Sequence, residues 1–179
     1  MKKYLLLFLF SQIFYAQENA LVRQNDKFGY INKTGNFSIE PQYKVAKNFS
    51  DGLAAVEKDG KWGFINTKGE MVIAPIYSNA KYFNSGICVV EKDKKWFYIN
   101  KKGEELKMPA SDKVYDFEDG VAFIKVSDKV GLINPKGEII VQPTYQVIKS
   151  FENGFAKVKQ NDKWGIIDNK GKLVVETIY

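Results

Sequence analysis

Short apolar runs, each about as long as a β-strand, recur along this chain with glycine- and asparagine-rich breaks between them. The clearest stretch is residues 52–85. Leu53-Ala54-Ala55-Val56-Glu57-Lys58 reads as a first strand, and Asp59-Gly60 as a type I′ hairpin turn, which needs positive φ at both positions. Lys61-Trp62-Gly63-Phe64-Ile65-Asn66 reads as a second strand. Asn66-Thr67-Lys68-Gly69 is a tight turn in which Asn bonds forward to the backbone and Gly takes the left-handed position. Glu70-Met71-Val72-Ile73 is a third strand, ended by Pro75, which has no N–H for a ladder. No stretch shows the i, i+3, i+4, i+7 spacing of an amphipathic helix.

The same pattern returns every 34 residues without slippage, with Phe28, Trp62, Trp96, Val130 and Trp164 in one row. A fixed period of this size marks a repeat architecture, in which units stack to bury a shared core. The rows therefore read as structural: Phe28, Trp62, Trp96 and Trp164; Tyr43, Tyr77 and Tyr145; Phe49, Phe83, Phe117 and Phe151. Gly52, Gly86, Gly120 and Gly154 mark re-entry into each next first strand, so the stretch before them is an anchored connection. The expected fold is all-β, with five tandem three-stranded antiparallel meanders stacked as an open or curled array. A five-bladed β-propeller is the alternative. The units run over residues 18–51, 52–85, 86–119, 120–153 and 154–179, within a single domain at 17–179.

These residues resemble the WG-repeat family, named for its Trp-Gly pair. Lys61-Trp62-Gly63-Phe64-Ile65-Asn66-Thr67-Lys68-Gly69, Ile73-Ala74-Pro75-Ile76-Tyr77 and Lys163-Trp164-Gly165-Ile166-Ile167-Asp168 carry the likeness. The resemblance implies a bacterial β-repeat protein, commonly exported, with no shared catalytic residues or ligand. The third unit departs from the pattern. Phe97 replaces the Gly, Lys107-Met108 the apolar strand end and Ser111 the Tyr, which is open to two readings: a site, or drift in a tolerant scaffold.

Residues 1–16 stand outside the lattice. Met1-Lys2-Lys3, an apolar run from Tyr4 to Phe10 and a small residue at Ala16 have the layout of a secretory signal peptide, too short to span a bilayer. Cleavage near Ala16–Gln17 and export to the periplasm, cell surface or medium are expected, with no transmembrane segment in the mature chain.

Composition narrows the chemistry. The chain has no histidine, the commonest general base and metal ligand. Its single cysteine, Cys88, aligns with Ala54, Ala122 and Ala156 and reads as a small buried hydrophobe. Carboxylates at Asp51, Glu57, Glu91, Glu118 and Asp119 fall in turns and at strand ends, and no pair is unique to one unit. A non-enzymatic protein with no cofactor or metal is expected. The 27 Lys and Arg against 21 Asp and Glu are spread over every repeat, so nucleic acid is not an expected partner.

Two binding surfaces remain. The Trp row is a stacking platform or core, and Val130 in that row favours core. Lys68, Lys102, Lys136 and Lys170 recur in one turn and form either a positive strip for an anionic polysaccharide or ordinary solvated turn residues. The expected function is a monomeric binding module at the cell envelope whose partner is a protein or a polysaccharide. A passive structural component of the envelope is the alternative.

Overall fold

In the computed structural model, which describes residues 19–179, β1 (Ala20–Gln24), β2 (Lys27–Ile31) and β3 (Phe37–Tyr43) form the first antiparallel sheet. The signal peptide expected over residues 1–16 lies outside the described residues. The second sheet comprises β4 (Leu53–Lys58), β5 (Lys61–Asn66) and β6 (Met71–Tyr77). The third comprises β7 (Asn79–Ala80), β8 (Ile87–Lys92) and β9 (Lys95–Asn100). The fourth is β10 (Ala122–Val126), β11 (Lys129–Ile133) and β12 (Ile139–Tyr145). The fifth is β13 (Val147–Ile148), β14 (Phe155–Gln160), β15 (Lys163–Asp168) and β16 (Leu173–Val175).

Local chemistry accounts for each meander. Asp59 and Gly60 have φ of 53° and 75°, and Asn25 and Asp26 make the same turn at 49° and 61°. Asn and Asp enter this region at less cost than other side chains. In the second turn Asn66 Oδ1 accepts from the backbone N–H of Lys68 and of Glu70, both at 3.0 Å. Asn100, Asn134 and Asp168 repeat the arrangement. The connection between units is anchored: β6 ends at Tyr77, and Asn79 and Ala80 already pair with Glu91 and Val90 of the next sheet.

Packing explains why β4 is buried from Leu53 through Val56 without alternation. An internal sheet is covered on both faces. One side of each interface offers large residues and the other small or β-branched ones. Tyr30, Ile39 and Phe49 meet Ala54, Val56 and Ile65, and Phe64, Ile73, Tyr77 and Phe83 meet Cys88, Val90 and Ile99. Tyr98 and Phe117 meet Ala122, Ile124 and Ile133, while Leu132, Val141 and Phe151 meet Ala156, Val158 and Ile167. Aromatic pairs knit these cores: Tyr30 with Phe49 at 4.7 Å and Phe64 with Phe83 at 4.9 Å between ring centres. The result is an open, non-barrel stack of five sheets. It does not close into the alternative propeller: among the described residues Ala20 of the first sheet and Phe155 and Tyr179 of the fifth are exposed.

The aromatic rows divide by depth. Tyr77, Phe49, Phe83 and Phe117 are buried, whereas Tyr43, Tyr145, Phe151, Phe28, Trp62 and Trp164 are half-buried at cluster margins. Trp96 is 38% exposed, so the Trp row is not the interior that the sequence suggests. The reason is its place at the start of the second strand, beside the hairpin tip. There the rings are covered by cations: Lys47 Nζ lies 5.2 Å from the Trp62 ring centre and Lys81 Nζ 5.8 Å from that of Trp96.

Phe83→Ala is therefore expected to cost about 3–5 kcal/mol and Trp96→Ala about 1 kcal/mol or less. Denaturant unfolding of both variants measures the difference.

Candidate functional site

In four units the second strand carries a glycine on which the third strand lies. A Cβ at Gly63 would stand 2.6 Å from the Ile73 carbonyl oxygen and 2.8 Å from Pro75 N, and Gly29 and Gly165 have the same crowding. The close approach follows from an irregular register between β5 and β6, where Trp62 pairs with Tyr77 but Phe64 with Ile73. No side chain fits beneath that backbone.

The third unit has Phe97 at this place, and its third strand does not form. β9 pairs with β8, and on its other side Ile99 bridges Glu105, the Leu106 N–H reaches the Tyr98 carbonyl at 2.8 Å and the Asn100 N–H reaches the Glu104 carbonyl at 3.0 Å. The chain then leaves β9 for the next sheet. Asp112 N–H donates to the Lys125 carbonyl at 2.8 Å, and Ser111 Oγ accepts from Lys125 N–H at 2.9 Å. Elsewhere the Tyr row pairs opposite the Trp row, as Trp164 N–H does with the Tyr179 carbonyl at 2.6 Å. Ser111 occupies that row here and is held by Lys125 instead.

The gap is a groove of about 270 Å³. Trp96, Phe97, Leu106, Met108 and Phe123 supply its apolar walls, and Glu105, Lys107 and Lys113 are exposed at its rim. One wall is fixed by Tyr98, whose hydroxyl donates to the Tyr115 carbonyl at 2.7 Å and accepts from Tyr115 N–H at 3.2 Å. Tyr115 in turn meets Phe123 edge-on at 5.7 Å. Burial pushes the Tyr98 phenol up to about 12. Lys81 covers one side of Trp96 and is held by Asp116 at 2.8 Å. The arrangement suits an extended segment with apolar side chains. A larger cleft of about 510 Å³ between the first two units is walled by Lys27, Lys44, Glu57, Lys58 and Asp59, a mixed-charge hairpin rim.

The structure places Lys68, Lys102, Lys136 and Lys170 at the same exposed turn, and among the described residues none is in an ion pair. The turns also carry Glu70, Glu104 and Glu138, each accepting from its Asn amide at 2.6–2.7 Å. The strip thus alternates in sign except at the fifth turn, where Lys172 replaces the Glu. Cys88 is buried, its thiol pushed up to about 12 by burial. Among the described residues no group of His, Cys, Asp or Glu is placed to hold a metal, and there is no helix long and apolar enough to cross a membrane.

Sequence reasoning singled out Phe97, Lys107, Met108 and Ser111 as departures but did not find Leu106, Lys113 or Phe123. The available signal was the coincidence of three departures in one unit.

Two outcomes are expected. Gly63→Phe should release the third strand of the second unit, with hydrogen-exchange protection lost across β6 and stability lower by more than about 2 kcal/mol. Tyr98, raised in the folded state, contributes stability that is complete below the unfolded tyrosine value of about 10. That contribution is lost as pH rises toward about 12. Urea midpoints should therefore hold from neutral pH to about 9 and fall above about 10, and the fall should be smaller in Tyr98→Phe.

The WG containing repeat matches residues 28–62, 62–96, 96–129, 131–164 and 164–179, and the chain belongs to that family. No curated protein matches it. Among solved structures it is similar to Kluyveromyces lactis Hsv2 with loop 6CD replaced by a Gly-Ser linker, at 10% identity over 88% of this chain and 62% of that one, with a TM-score of 0.50. It is also similar to a eukaryotic initiation factor, at 10% identity over 90% of this chain and 52% of that one, with a TM-score of 0.56. The chain spans less than two thirds of either, and the shared feature is the fold alone.

Proposed function

We propose that this member of the WG containing repeat family is an exported interaction module of the bacterial cell envelope, and that the groove of its third unit holds an extended segment of a protein partner. The observation that carries the reading is the loss of the third strand beside Phe97. It leaves Trp96, Leu106, Met108 and Phe123 lining a groove where other units have packed backbone. Trp96 is exposed there and Leu106, Met108 and Phe123 are half-buried, and aromatic and methionine side chains around a concavity are common anchors for peptides. Rim residues Lys107, Lys113 and Glu105 bias the choice of partner and its rate of arrival. Export is supported by the basic start and short apolar run of residues 1–16. The turn-lysine strip is a weaker surface for an anionic polysaccharide, because its glutamates interleave with its lysines.

Site-specific photo-crosslinking in the native cell tests the site. A crosslinker at Lys107 is expected to trap a protein partner that one at Lys68 does not trap, and Met108→Asp should abolish the adduct at unchanged protein level. Equal trapping at both positions would reject the groove. Fractionation of the same cells should find the chain outside the cytoplasm with Gln17 at its N-terminus.

A further inference from the structure

We propose that the segment held in the third-unit groove is a short β-strand that pairs with the free main-chain edge at Trp96 and seats an aromatic side chain where other units have a tyrosine. This rests on the groove being the binding site. In other units the residue opposite the Trp row is Tyr: Phe28 pairs with Tyr43, Trp62 with Tyr77 and Val130 with Tyr145. The fifth unit shows the bonds, Trp164 N–H to the Tyr179 carbonyl at 2.6 Å and Tyr179 N–H to the Trp164 carbonyl at 3.4 Å. In the third unit this row holds Ser111, whose hydroxyl is engaged with the Lys125 main chain. Trp96 stands opposite Glu91 of β8, and the Glu91 carbonyl points the other way, to Ser78 N–H at 2.7 Å. An antiparallel pair of that kind turns both main-chain groups of Trp96 away from β8. Among the described residues no main-chain group meets them there, since pairing on that side of β9 runs only from Tyr98 to Asn100.

The missing tyrosine leaves a side-chain place as well as an edge. Tyr77 is buried in a cluster on which Trp62 packs, and Tyr43 and Tyr145 join the corresponding clusters with Phe28 and Val130. Trp96 has no such tyrosine beside it and is exposed, where Trp62 and Trp164 are half-buried. The groove of about 270 Å³ has Val114, Phe123 and Ile133 among its walls, and a cavity of about 150 Å³ already admits a benzene ring. Phe97 limits the occupant to the end of a strand, because it bars the crossing that Ile73 to Pro75 make over Gly63. Charge narrows the choice further. Lys107 and Lys113 outnumber Glu105 at the rim, so an acidic residue near the aromatic one is complementary. Main-chain pairing at a sheet edge, with a side chain in a pocket, is a common way to recognise an extended peptide.

Titrating the whole chain with a synthetic peptide of its own residues 40–46, which carries Glu40 and Tyr43, tests the strand by amide NMR. The Trp96 N–H should gain protection from hydrogen exchange while that of Phe28 is unchanged. Tyr43→Ala in the peptide should weaken binding more than about tenfold, and Tyr43→Phe should preserve it. N-methylation of the peptide's Tyr43, which removes the main-chain donor, should weaken it as much as Tyr43→Ala. A peptide that does not bind at millimolar concentration, that binds equally with Ala, or that protects Phe28 in place of Trp96 would overturn the strand. Each of these results leaves the groove itself to be judged by the crosslink at Lys107. A crosslinked partner segment with no aromatic residue would likewise overturn the strand and keep the groove.

Discussion

A three-stranded meander with strands of three to seven residues has two apolar faces and no interior. Its stability comes from the sheet stacked on each side, and every other feature of this molecule follows from that dependence. Because both faces must be covered, the first strand of an internal unit is apolar at four successive positions, Leu53 to Val56, where a half-exposed strand would alternate. Because the stack advances in one direction, large and small side chains segregate to opposite faces. Cys88 takes an alanine's place for this reason: it is buried in one cluster with Phe64, Tyr77 and Phe83.

The second constraint acts within a unit. The third strand rests on the glycine of the second so closely that a Cβ would overlap main-chain atoms. The contact involves backbone on one side and no side chain on the other, so it leaves no trace in hydropathy. Replacing that glycine by Phe97 does not unfold the unit, because β8 and β9 still stack on both neighbours. It costs only the outermost strand, and the groove is what remains. The phenyl ring is meanwhile received by the preceding core, at 6.2 Å from Tyr77.

Much of this was legible in the sequence because a lattice repeats its evidence. Strand order, the Asp59-Gly60 hairpin, the Asn66 turn and the anchored crossing all rest on residue types whose local physics is strong. Depth was less legible. Trp62, Trp96 and Trp164 form as regular a row as Phe49, Phe83 and Phe117, yet a row records equivalence and not burial. Only the neighbouring Lys47 and Lys81 mark the tryptophans as marginal. The groove was half legible: the departures at Phe97, Lys107 and Ser111 were visible, but not their common cause, which is a distance between main-chain atoms. Phe155 and Tyr179 read like their interior counterparts, since nothing in a row says where stacking stops.

The near-equivalence of the interfaces has an evolutionary consequence. Duplicating or deleting one 34-residue unit re-creates an interface of the same kind, so the gene can lengthen or shorten in fixed increments without redesigning a core. The third unit is the exception, because copying it would add a second groove and losing it would remove the first. Selection can thus tune reach and recognition separately, one by the number of units and the other by the identity of a single residue.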